Sequence, residues 1–193
     1  MTTLARYNIA GATLALLLTM AATAGAETLT GLRPAEPQPT QITPGLAVEY
    51  TYVKVNFVDQ LKGRKFEPGP PLTSINYRWG GNVLTSKSRE EVGASITGFI
   101  RFEKPGVYGF EVTSNDGVMV EIGGQAIHED PGVHSDSTSD RINVKIDQAG
   151  WYPLKVLYFQ KKGTASLVLA WVGPGEKGKA VPVPPAAFGY VKK

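Results

Sequence analysis

Apolar residues recur at every second position through most of the stretch from Val92 to Trp171, and no window carries a sustained helical period. Ile96, Ile100 and Phe102 share one parity, as do Tyr152, Leu154, Val156 and Tyr158, then Ala165, Leu167, Leu169 and Trp171. A period of two places such residues on one face of a strand, so each run predicts a strand with one buried side. The runs are separated by Lys104-Pro105-Gly106, Gly123-Gly124, Gln148-Ala149-Gly150 and Gln160 to Thr164, which read as turns. The expected fold is all-β, an antiparallel β-sandwich or barrel of about eight to ten strands. Twenty-two glycines and 14 prolines suit that turn-rich plan better than long helices.

The run from Val107 to Ile122 is the most informative. Tyr108, Phe110 and Val112 alternate with Glu111 and Thr113, and Val118, Val120 and Ile122 alternate with Met119 and Glu121. Between them lies Ser114-Asn115-Asp116-Gly117, so the run predicts a β-hairpin whose tip presents a carboxamide and a carboxylate beside a glycine. Two readings of that tip stay open. Asn115 and Asp116 either bind a ligand, with Gly117 letting it approach the backbone, or cap the turn with their own side chains.

Around this body the chain divides simply. Residues 1–26 read as a signal peptide: Arg6 is the one charge, Ile9 to Ala22 is an apolar core, and Ala24-Gly25-Ala26 offers small residues for cleavage. Retention as an anchor is the alternative, and export to the periplasm or beyond the cell follows from both, with no membrane span in a cleaved chain. Residues 27–44, with Pro34, Pro37, Pro39 and Pro44, read as a Pro-rich linker outside the core. Residues 45–190 form the expected domain. Cysteine is absent, which excludes disulfides, thiolate metal sites and a cysteine nucleophile. Lys plus Arg exceed Asp plus Glu by only 20 − 17 = 3, so nothing points to nucleic acid.

Catalysis finds no template. There is no Gly-x-Ser-x-Gly elbow, no His-Glu-x-x-His and no phosphate-cradling loop. Glu90-Glu91 and Glu129-Asp130 are neighbours that a strand would point to opposite faces, so neither pair straddles a glycosidic bond. The expectation is a non-enzyme. His128 to Asp136 collects both histidines with acidic residues, a set suited to zinc or nickel or simply to a solvated loop. Trp171 and Tyr158 fall on core faces, whereas Trp79, beside Gly80-Gly81, is the aromatic expected to be exposed.

Four segments together resemble the PA-fourteen domain, a β-sandwich module of adhesins and surface proteins. They are Gly98 to Phe110 with its Lys104-Pro105-Gly106-Val107-Tyr108 core, Ser114-Asn115-Asp116-Gly117-Val118 running to Gly124, Ala149-Gly150-Trp151 to Tyr158, and Gly163 to Trp171. The resemblance implies a sandwich used mostly for glycan binding. It also implies that two successive aspartates at the tip hold calcium, which bridges to sugar hydroxyls, with help from a second loop. At those positions this chain carries Asn115 and Asp116, and the second loop is Gln160-Lys161-Lys162-Gly163. One carboxylate beside two lysines makes Asp116 a weak calcium candidate, since calcium wants several oxygens and is repelled by ammonium groups. No other cofactor is expected.

Two functions follow as expectations. The first is an exported carbohydrate-binding module that takes a glycan or cell-surface polysaccharide through Asn115, Asp116, Gly117, Gln160, Lys161 and Lys162. The second is a structural or protein-interaction module of the cell envelope, facing an envelope protein, that has lost its sugar site.

Overall fold

The computed structural model describes residues 27–192, so the signal peptide expected at 1–26 lies outside the described residues. In chain order the strands are β1 (Thr28–Leu29), β2 (Thr43–Pro44), β3 (Ala47–Tyr52), β4 (Glu67–Pro68), β5 (Asn76–Arg78), β6 (Val92–Phe102), β7 (Gly106–Asn115) and β8 (Val118–Ile122). There follow β9 (Gln125–Asp130), β10 (Ser137–Thr138), β11 (Ile142–Ile146), β12 (Gly150–Gln160), β13 (Ser166–Val172), β14 (Val181–Pro182) and β15 (Phe188–Tyr190). Eight of these have five or more residues, and the rest are two- or three-residue pairings along the edges. Among the described residues helix is confined to two short 3₁₀ turns, and none is long and apolar enough to cross a membrane.

The strands form two open sheets, so the molecule is a sandwich and not a closed barrel. One sheet runs β1-β11-β7-β13-β14, with β10 on β7 and β5 on β13. The other runs β2-β15-β6-β12-β8-β9, with β3 on β6 and β4 on β3. The apolar parities meet between the sheets as expected: Ile96, Ile100, Phe102, Phe110, Tyr152, Leu154, Val156, Tyr158 and Leu169 are all buried. At one end of that core Phe102 packs edge-on against Tyr108 at 4.8 Å and Tyr152 at 5.1 Å between ring centres.

The segment expected to be the central hairpin is built differently. Strand β7 pairs with β11 and β13 in one sheet, while β8 pairs with β12 and β9 in the other. Asn115-Asp116-Gly117 is therefore an arch from sheet to sheet. Alternation reports that a strand has one buried face, which is equally true of a hairpin arm and of a strand facing its neighbour across a sandwich. The turns after β6, β11 and β12 cross between sheets in the same way. Gly123-Gly124 does close a hairpin, β8 to β9, and its φ values of 60° and 80° are those a two-residue reversal with right-handed strand twist requires.

Two further segments pack onto the sandwich. The Pro-rich stretch 27–44 is not a free linker: β1 adds to β11 in parallel, Leu32 enters the core, and the Gln38 side chain bridges to Ala35 O and to Trp151 N and O. Proline removes N–H donors, but it leaves the carbonyls and the apolar side chains free to dock. The segment from Val53 to Phe66 covers the outer face of the second sheet, where Val55, Val58 and Leu61 seal Met119, Leu157 and Phe159. Strand β12 is consequently buried on both faces near its end.

Candidate functional site

At the end of the sandwich where β7 and β12 finish, the arch and the Gln160–Thr164 loop meet, although they lie more than forty residues apart. Asp116 is 3% exposed. Its Oδ1 accepts the backbone N–H of His134 at 3.1 Å and its Oδ2 accepts that of Lys161 at 2.8 Å. The Asp116 N–H donates to Phe159 O at 3.1 Å, and Phe159 N–H donates to Gly117 O at 3.0 Å, so the arch is laced to β12 from both sides. Burial pushes the Asp116 carboxyl above its ordinary range, and the two backbone N–H groups offset part of that rise.

Asn115, joined to Asp116 by a cis peptide bond, is likewise buried. Its Nδ2 donates to Asp136 Oδ1 and to Thr164 Oγ1, each at 3.0 Å, and its carbonyl accepts the Tyr158 hydroxyl at 2.6 Å. Gln160 is buried too: its Nε2 donates to Gly163 O at 3.3 Å, while its Oε1 has no partner among the described residues. Lys161 sends its Nζ to Asn56 Oδ1 at 2.7 Å, and Lys162 is exposed. Gly117 is set by packing, because a Cβ there would come within 2.5 Å of the Phe159 ring and 2.6 Å of Pro131 O. Gly117→Ala should therefore destabilise the protein by about 1–3 kcal/mol, the usual range for overpacking, read from denaturant unfolding. A loss below about 0.5 kcal/mol would mean that the arch has slack.

The predicted site residues thus assemble, but not as the sequence suggested. Asp116 was expected as an accessible carboxylate; it is enclosed, and it ties the loops at His134 and Lys161 to the arch. The open surface lies beside it. A cleft of about 800 Å³ is lined by Trp79, Asn82, Lys87, Ser88, Arg89, Glu90, Gly163 and Thr164. Trp79 is 56% exposed, as its glycine neighbours implied. Glu90 Oε1 accepts the Gly163 N–H at 2.9 Å and fixes the loop that joins the cleft to the arch. The stretch Asn82 to Glu90, mostly polar around the buried Val83, carried no motif that singled it out.

The donor set does not fit calcium. That ion takes six to eight oxygens, typically with several carboxylates. Here both oxygens of Asp116 face N–H donors, and Asn115 turns its own N–H₂ toward Asp136 and Thr164. In the histidine loop, His134 Nε2 stands 3.2 Å from Asp130 Oδ2, and burial lowers the His128 pKa. Among the described residues no three His, Asp or Glu side chains converge to hold a metal.

The family model for the PA14 domain matches residues 44–183. Solved structures of the same fold include the PA14 domain of the MpAFP antifreeze protein, with TM-score 0.63 and 17% identity over 79% of this chain and 93% of that one. The PA14 sugar-binding domain from an RTX adhesin superposes with TM-score 0.60 and 17% identity over 77% of this chain and 99% of that one. The A domain of epithelial adhesin 6 from Candida glabrata, solved with Galβ1-3GlcNAc, gives TM-score 0.63 and 12% identity over 83% of this chain and 94% of that one. No curated protein matches the chain in sequence.

Proposed function

The chain belongs to the PA14 domain family, and we propose that it is an exported, non-catalytic carbohydrate-binding module that takes its sugar in the cleft beside the arch. The observation that carries this reading is Trp79, an indole held more than half exposed on the wall of an open cleft whose other residues are polar. An indole face packs against the C–H face of a pyranose, and hydroxyls exchange hydrogen bonds with amide, hydroxyl, guanidinium and carboxylate groups. Asn82, Ser88, Arg89 and Glu90 supply one of each. Asn115, Asp116, Gly117 and Gln160 then act as scaffold, Lys161 anchors the loop, and Lys162 stands free near the rim. The RTX adhesin domain, described as sugar-binding, and the epithelial adhesin 6 domain, solved with Galβ1-3GlcNAc, support the ligand class. A shallow site of this kind binds in the micromolar to millimolar range, on the order of −4 to −8 kcal/mol.

Glycan-array and calorimetric titration of the protein, with calcium and with EDTA, test the proposal. Binding should be the same under both conditions, because the site offers no calcium cage. Trp79→Ala should weaken it about tenfold, in line with the loss of one stacking contact, and leave the thermal midpoint unchanged. The enclosed tip favours one alternative, a structural or protein-interaction module facing an envelope protein. Retention of no glycan at all would decide for that reading.

A further inference from the structure

We propose that the opposite pole of the sandwich carries a second, independent pocket for a single neutral sugar ring. The proposal goes beyond the cleft at Trp79 and does not rest on it. Strands β7 and β13 run from pole to pole, so Tyr108 stands about 26 Å from Asp116 at the usual strand rise, and Trp171, paired with Phe110, about 20 Å. There a pocket of about 330 Å³ opens over these two aromatic residues, with Arg101, Glu103, Lys104 and Glu176 around it.

The floor is preorganised. Trp171 packs at 5.3 Å from Tyr108, 5.9 Å from Phe102 and 6.1 Å from Phe110, measured between ring centres. Its three partners are sealed, at 5%, 0% and 0% exposure, whereas Trp171 is only partly buried. An aromatic side chain wedged by three others and still open on one side offers contact area with no ordering penalty on binding.

The rim decides the ligand class. It holds two cations and two carboxylates, and among the described residues none of the four forms an ion pair. Glu176 Oε2 accepts the Gly173 N–H at 3.3 Å, and the Arg101 guanidinium lies over the Trp151 ring at 5.8 Å. A net-neutral rim rich in both donors and acceptors gives no advantage to an anion or a cation. It suits a neutral ligand whose groups donate to Glu103 and Glu176 while accepting from Arg101 and Lys104. Hydroxyls do both, and the ring face of a pyranose matches the indole below. The volume lies at the small end for ligand pockets, which limits the occupant to one ring or a chain end. With both poles occupied, the module would bridge two glycans.

Titration of the ¹⁵N-labelled protein with methyl β-D-galactopyranoside and with N-acetylglucosamine tests this by NMR. For at least one of these sugars, saturable shifts are expected at the Trp171 indole N–H and at the Gly173 and Gly175 amides, with millimolar affinity, and they should persist in Trp79→Ala. Glu176→Ala and Arg101→Ala, both at exposed positions, should weaken the effect about tenfold with an unchanged thermal midpoint. The proposal is overturned if neither sugar shifts these signals, if the shifts vanish in Trp79→Ala, or if free glycine or lysine produces them at lower concentration.

Discussion

Asp116→Ala should lower stability by about 2–3 kcal/mol, which for a chain of this size corresponds to roughly 5–10 °C in thermal midpoint. The carboxylate is the acceptor for two backbone N–H groups, those of His134 and Lys161, and alanine leaves both without a protein partner. Each orphaned N–H costs about 1–3 kcal/mol when water is kept out, and here both loops are half-buried, which moderates the sum. Asp116→Asn retains one acceptor but turns an N–H₂ toward the other N–H, so it should be more stable than alanine. Affinity in the cleft should drop with Asp116→Ala as well, since the Lys161 loop leads directly into Gly163 and Thr164. A variant as stable as wild type would show that the two loops hold themselves without the carboxylate.

The same group predicts a pH dependence. Burial raises the Asp116 carboxyl above its ordinary 3.8 in the folded chain. The folded state therefore binds this proton more tightly than the unfolded state, and the stability it contributes is complete below 3.8 and lost as pH rises through the raised value. The stability of wild type relative to Asp116→Asn should accordingly fall as the solution is brought from acid toward neutral pH. A difference that instead grows with pH would mean that the two backbone N–H groups outweigh burial.

Phe102→Ala should have the largest effect of any single change considered, a loss of about 3–5 kcal/mol. Its ring is fully buried and sits among Tyr108, Tyr152, Phe110 and Trp171, with centres 4.8 to 6.2 Å away. Removing it takes out the hub of that cluster and leaves a cavity that the rigid β6 and β12 backbones, paired along their whole length, cannot close. Phe102→Leu should recover more than half of the loss. Denaturant unfolding with an unchanged slope is the measurement, and a loss under about 1 kcal/mol would show that the neighbouring rings collapse into the gap.

The sequence by itself determined which side of each strand faces inward, because a residue's parity along an extended chain is a local property. Tyr152, Leu154, Val156 and Tyr158 were legible for that reason, and so were the Gly123-Gly124 reversal and the exposed Trp79. Only the tertiary structure decided which strands are partners. Pairing is a long-range choice, so Ser114 to Gly117 carries the same local signature whether it closes a hairpin or arches between sheets. Burial of the arch followed from that choice: once β8 joins β12 in the far sheet, the loops at His134 and Lys161 close over Asp116. An aspartate and a glycine in a turn do not disclose whether other segments will cover them, and here two distant stretches of chain do.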